Sequence, residues 1–165
     1  MVIYNRAMIK IMFVCHGNIC RSPMAEVIFK DLAKKRGVAD CFLVASSATS
    51  TEEIWNGIGN PVYPPAKAEL EKHGLSCGGK RAVQLQKSDY DKYDLFIGMD
   101  SANIRNMLRI FGGDPAGKVH KLMDFTDRGG DVADPWYSER FDVAYRDIYE
   151  GCTALLDAIL KQDKQ

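Results

Sequence analysis

The sequence has no apolar run approaching the 18 or so residues that a membrane-spanning helix needs, so a transmembrane anchor is not expected. It has no surplus of charge: 22 Lys and Arg balance 22 Asp and Glu. Binding through counterion release needs a basic excess, which argues against DNA or RNA as a main partner. The cysteines number five, an odd count with no paired spacing. That argues against a disulfide framework and for free thiols in a reducing compartment, so the cytoplasm is the expected location. A signal peptide is not expected either, because the apolar run starting at Met8 is too short and has no small-residue cleavage site. With 14 Gly and 6 Pro the chain is neither collagen-like nor of low complexity. What is present is 165 residues with a 46% hydrophobic share, enough for the core of one domain spanning residues 1–165. No internal repeat or linker divides it.

Ile9 to Val14 is a short, β-rich apolar run, read as a buried strand. Ser22 and Pro23 then read as the cap and first position of a helix that carries Met24, Val27, Ile28 and Leu32 on one face and stops at Gly37. Phe42 to Ser46 reads as a second strand, and Thr49 to Pro64 as a loop. A helix from about Pro65 stops at Gly74. Asp94 to Met99 is a third strand, followed by a helix capped by Asp100 or Ser101. Val119 to Met123 is a fourth, and Ser138 caps a long amphipathic helix with Phe141, Tyr145, Ile148, Cys152, Leu155, Leu156 and Ile159 at helical spacing. Strands alternating with helices predict an α/β fold: a single three-layer, doubly wound domain with a four-stranded parallel sheet and helices on both faces. Ligands in such sheets bind outside the carboxyl ends of the strands, where the first strand delivers Cys15.

The segment from Cys15 to Arg21 joins that strand to that helix. Such a loop aims backbone N–H groups inward over a helix N-terminus, which makes an anion cradle. Arg21 can offer a planar fork to two phosphate oxygens. A thiol in the same field, with a solution pKa near 8.5, falls to about 3.5–7.5 at helix N-termini, and so becomes a nucleophile at neutral pH. Ser22 is placed to give Cys15 a hydrogen bond, and Gly17 and Asn18 accept the left-handed backbone of a tight turn. On residue types alone, a plain strand-to-helix turn with a buried Cys and an exposed Arg fits as well. A dinucleotide-binding loop does not, since Gly17 is the only glycine between Cys15 and Arg21 and G-x-G-x-x-G is absent there. A zinc site from Cys15, His16 and Cys20 has the wrong spacing, so no metal is expected.

The run Val14-Cys15-His16-Gly17-Asn18-Ile19-Cys20-Arg21-Ser22-Pro23 resembles the signature loop of the low-molecular-weight protein tyrosine phosphatases. Similar segments recur at Ser46-Ser47-Ala48-Thr49, Gly59-Asn60-Pro61, His73-Gly74-Leu75, Tyr93 to Asp100 and Asp134-Pro135-Trp136-Tyr137, over nearly the whole chain. The resemblance implies hydrolysis of aryl phosphates such as phosphotyrosine through a cysteinyl-phosphate. Cys15 would be the nucleophile, Arg21 the phosphate clamp, and Asp134 the acid that protonates the leaving oxygen. His16, Gly17, Asn18, Ile19, Cys20 and Ser22 would line the phosphate loop, His16 chiefly through its backbone. Ser46 and His73 would join Asn18 in holding the loop. By the same resemblance Cys20 can close a protective disulfide with Cys15 under oxidant. Trp55, Trp136 and Tyr137 read as walls that favour a flat aryl phosphate over a short serine phosphate. No cofactor is implied, because the cradle itself neutralises the charge; the expected partners are phosphotyrosine proteins or small aryl phosphates, met by a monomer.

Residue types alone leave other readings open. Asp134-Pro135 is also a common turn start, His73 suits a helix end, the aromatics suit packing, and Cys20 suits a small buried thiol. Tyr4, Tyr90, Tyr93, Tyr145 and Tyr149 are read as structural. Val83, Tyr63 and Pro65 depart from the family pattern near the entrance and bear on specificity. Two other functions share parts of this signature. A thioredoxin-coupled arsenate reductase needs two further relay cysteines, and only Cys77 is in a suitable region. A non-catalytic phosphate-binding module has no use for Cys15 together with Asp134.

Overall fold

A computed structural model describes residues 8–163 of the chain; Tyr4 lies outside them. The first strand, β1 (Ile9–Cys15), is apolar on both faces and buried from Ile11 onward, as a strand covered on two sides must be. It pairs in parallel with β2 (Phe42–Ala48) on one side and β5 (Leu95–Gly98) on the other. β6 (Val119–Lys121) extends the sheet beyond β5, giving the order β2-β1-β5-β6. The chain therefore leaves β1 toward one edge and returns to the other side of it. That reversal opens a crevice at the carboxyl ends of β1 and β5, where Cys15 lies.

α1 (Arg21–Lys35) and α5 (Phe141–Asp163) cover one face, where Ile11, Phe13, Met24, Ile28, Phe29, Ile148, Leu155 and Leu156 form the larger core. α3 (Ser101–Phe111) covers the other over Met12, Val14, Leu85, Phe96, Met107 and Phe111. α2 (Pro64–Lys72) packs against α1 and α5. The expected three-layer α/β arrangement is the one observed.

Four local expectations need correction. Ser22 is not a helix cap: α1 begins at Arg21 with Cys20 at the cap position, and the Ser22 hydroxyl is turned toward Cys15 and Asn18. The stretch from Thr49 to Pro64 is not all loop. β3 (Ile54–Trp55) and β4 (Ile58–Gly59) form a two-residue hairpin in which Asn56 and Gly57 both have positive φ, 51° and 76°. That is the type I′ turn Asn-Gly favours. Gly59 is obligatory there, because a Cβ would lie 1.8 Å from the Ala82 carbonyl oxygen. The fourth strand ends at Lys121, where Leu122–Phe125 tightens into a 3-10 turn. Ser138 closes the short helix α4 (Pro135–Ser138) and does not cap α5; Glu139 turns left-handed between the two.

Candidate active site

The loop after β1 wraps around the Cys15 sulfur. Sγ is 3.0 Å from Ser22 Oγ and accepts the backbone N–H groups of Asn18 at 3.3 Å and Ser22 at 3.4 Å. Asn18 makes the wrap possible by taking φ 60°, a left-handed conformation that asparagine tolerates. Gly17 leaves room for Glu53, whose Cγ would be 3.2 Å from a Cβ at that position. Cys15 forms the floor of a cavity of about 360 Å³ lined by the whole loop from Cys15 to Arg21 and by Glu52, Glu53, Asp134, Trp136 and Tyr137.

Arg21 is 3% exposed, and a buried guanidinium needs partners. Its Nη1 donates to Asp100 Oδ2 at 2.7 Å and to the Val132 carbonyl at 2.8 Å, and Nη2 lies 3.5 Å from Asp134 Oδ2. Burial opposes its charge, but Cys15, Asp100 and Asp134 outweigh it and hold the group above its ordinary value. Asp134 caps α4, its Oδ1 accepting the Trp136 N–H at 3.0 Å, which leaves Oδ2 facing Arg21. Burial, joined by the negative charges of Cys15 and Asp134, pushes the Cys20 thiol up to about 12.

A thiol that accepts two backbone N–H groups, a guanidinium and a carboxyl thus meet in one cavity. The family model for low molecular weight phosphotyrosine protein phosphatase matches residues 10–165. The chain is 37% identical over 157 residues to the low molecular weight protein-tyrosine-phosphatase YfkJ of Bacillus subtilis, covering 94% of this chain and 98% of that protein. The crystal structure of YfkJ superposes with a TM-score of 0.90 over 96% of this chain and 98% of that one. The low molecular weight protein-tyrosine-phosphatase PtpA of Staphylococcus aureus is 33% identical over 93% of this chain and 96% of its own. A Streptococcus pyogenes low molecular weight protein tyrosine phosphatase, SP-PTP, has a TM-score of 0.81 at 32% identity, covering 92% of this chain and 93% of that one. The chain belongs to the low-molecular-weight protein tyrosine phosphatase family. It is a hydrolase of phosphate monoesters, and these relatives favour neither an arsenate reductase nor a binding module.

Within the phosphatase, Ser46 stands where expected: Asn18 Nδ2 donates to its Oγ at 3.0 Å. His73 does not join them. At the end of α2 its ring lies flat on Tyr145 of α5, 3.7 Å between centroids, and its Nε2 meets Glu69 at 3.1 Å. The packing of α2 on α5 takes the histidine away from the loop. Glu26 and Lys80 stand near Ser46 instead: Ser46 Oγ donates to Glu26 Oε1 at 2.6 Å and Lys80 Nζ to the Ser46 carbonyl at 2.9 Å. Trp55 is not among the residues that line the cavity; it stands 80% exposed on the β3–β4 hairpin, and Glu52 and Glu53 line the cavity from that segment. Trp136 and Tyr137 are lining residues, and Trp136 leans on Tyr63 with centroids 4.9 Å apart. The departure at Tyr63 therefore supports a wall, while Val83 contributes its backbone N–H to Asn18 Oδ1 at 3.0 Å. The His16 ring, expected to matter less than its backbone N–H, meets Glu52 at 3.0 Å.

Asp100, Glu26, Glu52, Glu53 and Lys80 were not singled out as site residues by the sequence, although Asp100 was one of the two residues read as the cap of α3. Among the described residues no group of three or more His, Cys, Asp or Glu side chains is placed to hold a metal. No described helix is long and apolar enough to cross a membrane.

Proposed function

We propose that Cys15 attacks the phosphorus of a tyrosine phosphate as a thiolate, with Arg21 and Asp134 completing the machinery. The observation that carries this is the convergence of three hydrogen-bonding groups on the Cys15 sulfur at the floor of the cavity. With Nη1 tied to Asp100 and Val132, Nε and Nη2 of Arg21 remain to grip two phosphate oxygens. As the S–P bond forms and the ester P–O bond breaks, the Asp134 carboxyl gives its proton to the leaving oxygen. Water then attacks the cysteinyl-phosphate and Asp134 takes a proton from it. The S–P bond breaks, releasing phosphate and restoring the thiolate. The inward N–H groups of residues 16–22 stabilise the charge on the equatorial oxygens, which is where electrostatic catalysis contributes most.

Trp136 and Tyr137 support a preference for phosphotyrosine, since an aryl group reaches the cavity floor while stacking between them. We place the working enzyme in the cytoplasm as a single-domain monomer acting on phosphotyrosine proteins or small aryl phosphates. The free state of all five cysteines supports the reducing compartment.

Turnover of p-nitrophenyl phosphate and of phosphotyrosine and phosphoserine peptides tests the reading. Cys15→Ser is expected to abolish turnover while still binding phosphate. Asp134→Asn should slow esters with poor leaving groups most, by about 10²–10⁴-fold. Substantial turnover by Cys15→Ser would sink the mechanism.

A further inference from the structure

Glu53 lines the cavity above Cys15 without a part in the chemistry just described. A carboxylate beside a phosphate site repels the anion that the site must receive. Glu53 is nevertheless held there. It and Asn60 flank the paired residues Ile54 and Gly59 of the β3–β4 hairpin. The Asn60 backbone N–H donates to the Glu53 carbonyl at 2.8 Å, and Asn60 Nδ2 donates to Glu53 Oε2 at 2.7 Å. The closing of the hairpin therefore also fixes the carboxylate. Its stem passes over Gly17, where a Cβ would lie 3.2 Å from Glu53 Cγ. Gly17 does not take the left-handed backbone expected of it, so what glycine provides here is room for Glu53.

The cations of the cavity are committed elsewhere. His16 faces Glu52 at 3.0 Å, and the buried Arg21 faces Asp100 at 2.7 Å and Asp134 at 3.5 Å. Lys80 is turned to the Ser46 carbonyl and Glu26. Among the described residues none forms an ion pair with Glu53, whose Oε2 meets the neutral Asn60 amide. Its charge is felt inside the cavity, where it joins burial, Cys15 and Asp134 in holding the Cys20 thiol up.

We propose that Glu53 is a specificity-determining residue, selecting phosphotyrosines flanked in the polypeptide by lysine or arginine and rejecting those flanked by acidic residues. This rests on the reading of the cavity as a phosphotyrosine site. A phosphotyrosine that reaches the floor carries its main chain out past the other lining residues, Glu53 among them. A cationic neighbour there meets the carboxylate and offsets its repulsion of the phosphate; an acidic neighbour adds to that repulsion. Such discrimination joins an attraction for one substrate to a penalty against its competitor. Glu52 contributes less, because its side chain is 70% exposed and already faces His16.

Three phosphotyrosine peptides that differ only in having Lys, Ala or Asp on both sides of the phosphotyrosine test this. In the parent, kcat/KM should fall from Lys to Ala to Asp by up to about fivefold at each step, the size of a partly exposed charge interaction. The spread should shrink as salt is added. Glu53→Gln keeps an oxygen for Asn60 and removes the charge. It should lose most of the spread, while kcat/KM for p-nitrophenyl phosphate, which brings no cation, rises. If Glu53→Gln does not fold, Asn60→Ala releases the carboxylate and should narrow the same spread.

Equal rates for the three peptides in the parent, or an unchanged spread in Glu53→Gln, would overturn the proposal. A uniform loss on every substrate, p-nitrophenyl phosphate included, would overturn it too, leaving Glu53 a structural support of the loop. A parent that turns over none of the three peptides would refute the phosphotyrosine reading itself. Turnover without preference would refute the role of Glu53 alone.

Discussion

At the scale of single residues, Cys20 shares the cavity with Cys15 yet is held protonated. Its folded value of about 12 lies above the ordinary 9.0, with burial the main cause and the charges of Cys15 and Asp134 adding to it. A raised value means the folded state holds the proton longer than the unfolded one. This contribution to stability is complete below about pH 9 and is lost as pH rises toward 12. Urea midpoints should fall across that window, and less steeply in Cys20→Ser. The same physics governs the redox behaviour we propose for the pair. Peroxide converts Cys15 to a sulfenic acid, and the Cys20 sulfur displaces water to form the disulfide. Oxidation removes the negative charge of Cys15, one cause of the high Cys20 value, so the first step eases the second. Peroxide-treated enzyme should recover activity with dithiothreitol and yield a Cys15–Cys20 linked peptide, and closure should quicken as pH rises. In Cys20→Ser, recovery should be lost as Cys15 passes to the sulfinic acid. Full recovery without Cys20 would rule out the switch.

At the scale of elements, the strand–loop–helix unit holding Cys15 was legible because its signals are local. An apolar run, a loop of small and turn-forming residues and a helical period follow within 30 positions. The Asn56-Gly57 hairpin was equally local and its signal stood in the sequence, although the segment reads there as loop. Asp100 was legible only in half. Its Oδ1 accepts the Asn103 N–H at 2.8 Å and caps α3, as the sequence suggests, while its Oδ2 holds Arg21 from 79 residues away. One side chain therefore ties the second half of the sheet to Arg21. Asp100→Ala should cost about 1 kcal/mol from the cap alone. It also takes from Nη1 of a buried guanidinium its carboxylate partner, leaving only the Val132 carbonyl, and a guanidinium displaced by about 1 Å can lower kcat/KM by about 10²-fold. Asp100→Asn keeps a capping oxygen, so its stability should lie near the parent while kcat/KM still falls. Urea titration and steady-state kinetics separate the two effects, and an Asn variant with unchanged kcat/KM would show that Arg21 is held without this charge.

At the scale of the whole molecule, the site draws on segments that meet only after folding. Cys15 to Ser22 come from β1 and α1, Ser46 from β2, Val83 from the segment beside Ala48, Asp100 from the end of β5, and Val132 and Asp134 from the approach to α4. The resemblance supplied Asn18 and Ser46 as supporting residues but also His73, because composition cannot tell which helix end faces the loop. Glu26 and Lys80, 20 and 34 positions from Ser46, carry no local mark at all. A site assembled across the sheet couples its occupancy to the stability of the whole fold. Orthophosphate, the product of phosphate-monoester hydrolysis, is expected to bind the folded chain alone. At about 100 times its dissociation constant it should stabilise the protein by about 2.7 kcal/mol. For a chain of this length that raises Tm by about 5–10 °C. Arg21→Met removes the clamp and should abolish most of the shift, while Cys15→Ser, which keeps the nest of N–H groups, should retain it. Equal shifts in the parent and in Arg21→Met would mean that phosphate stabilises this fold from somewhere other than the cavity above Cys15.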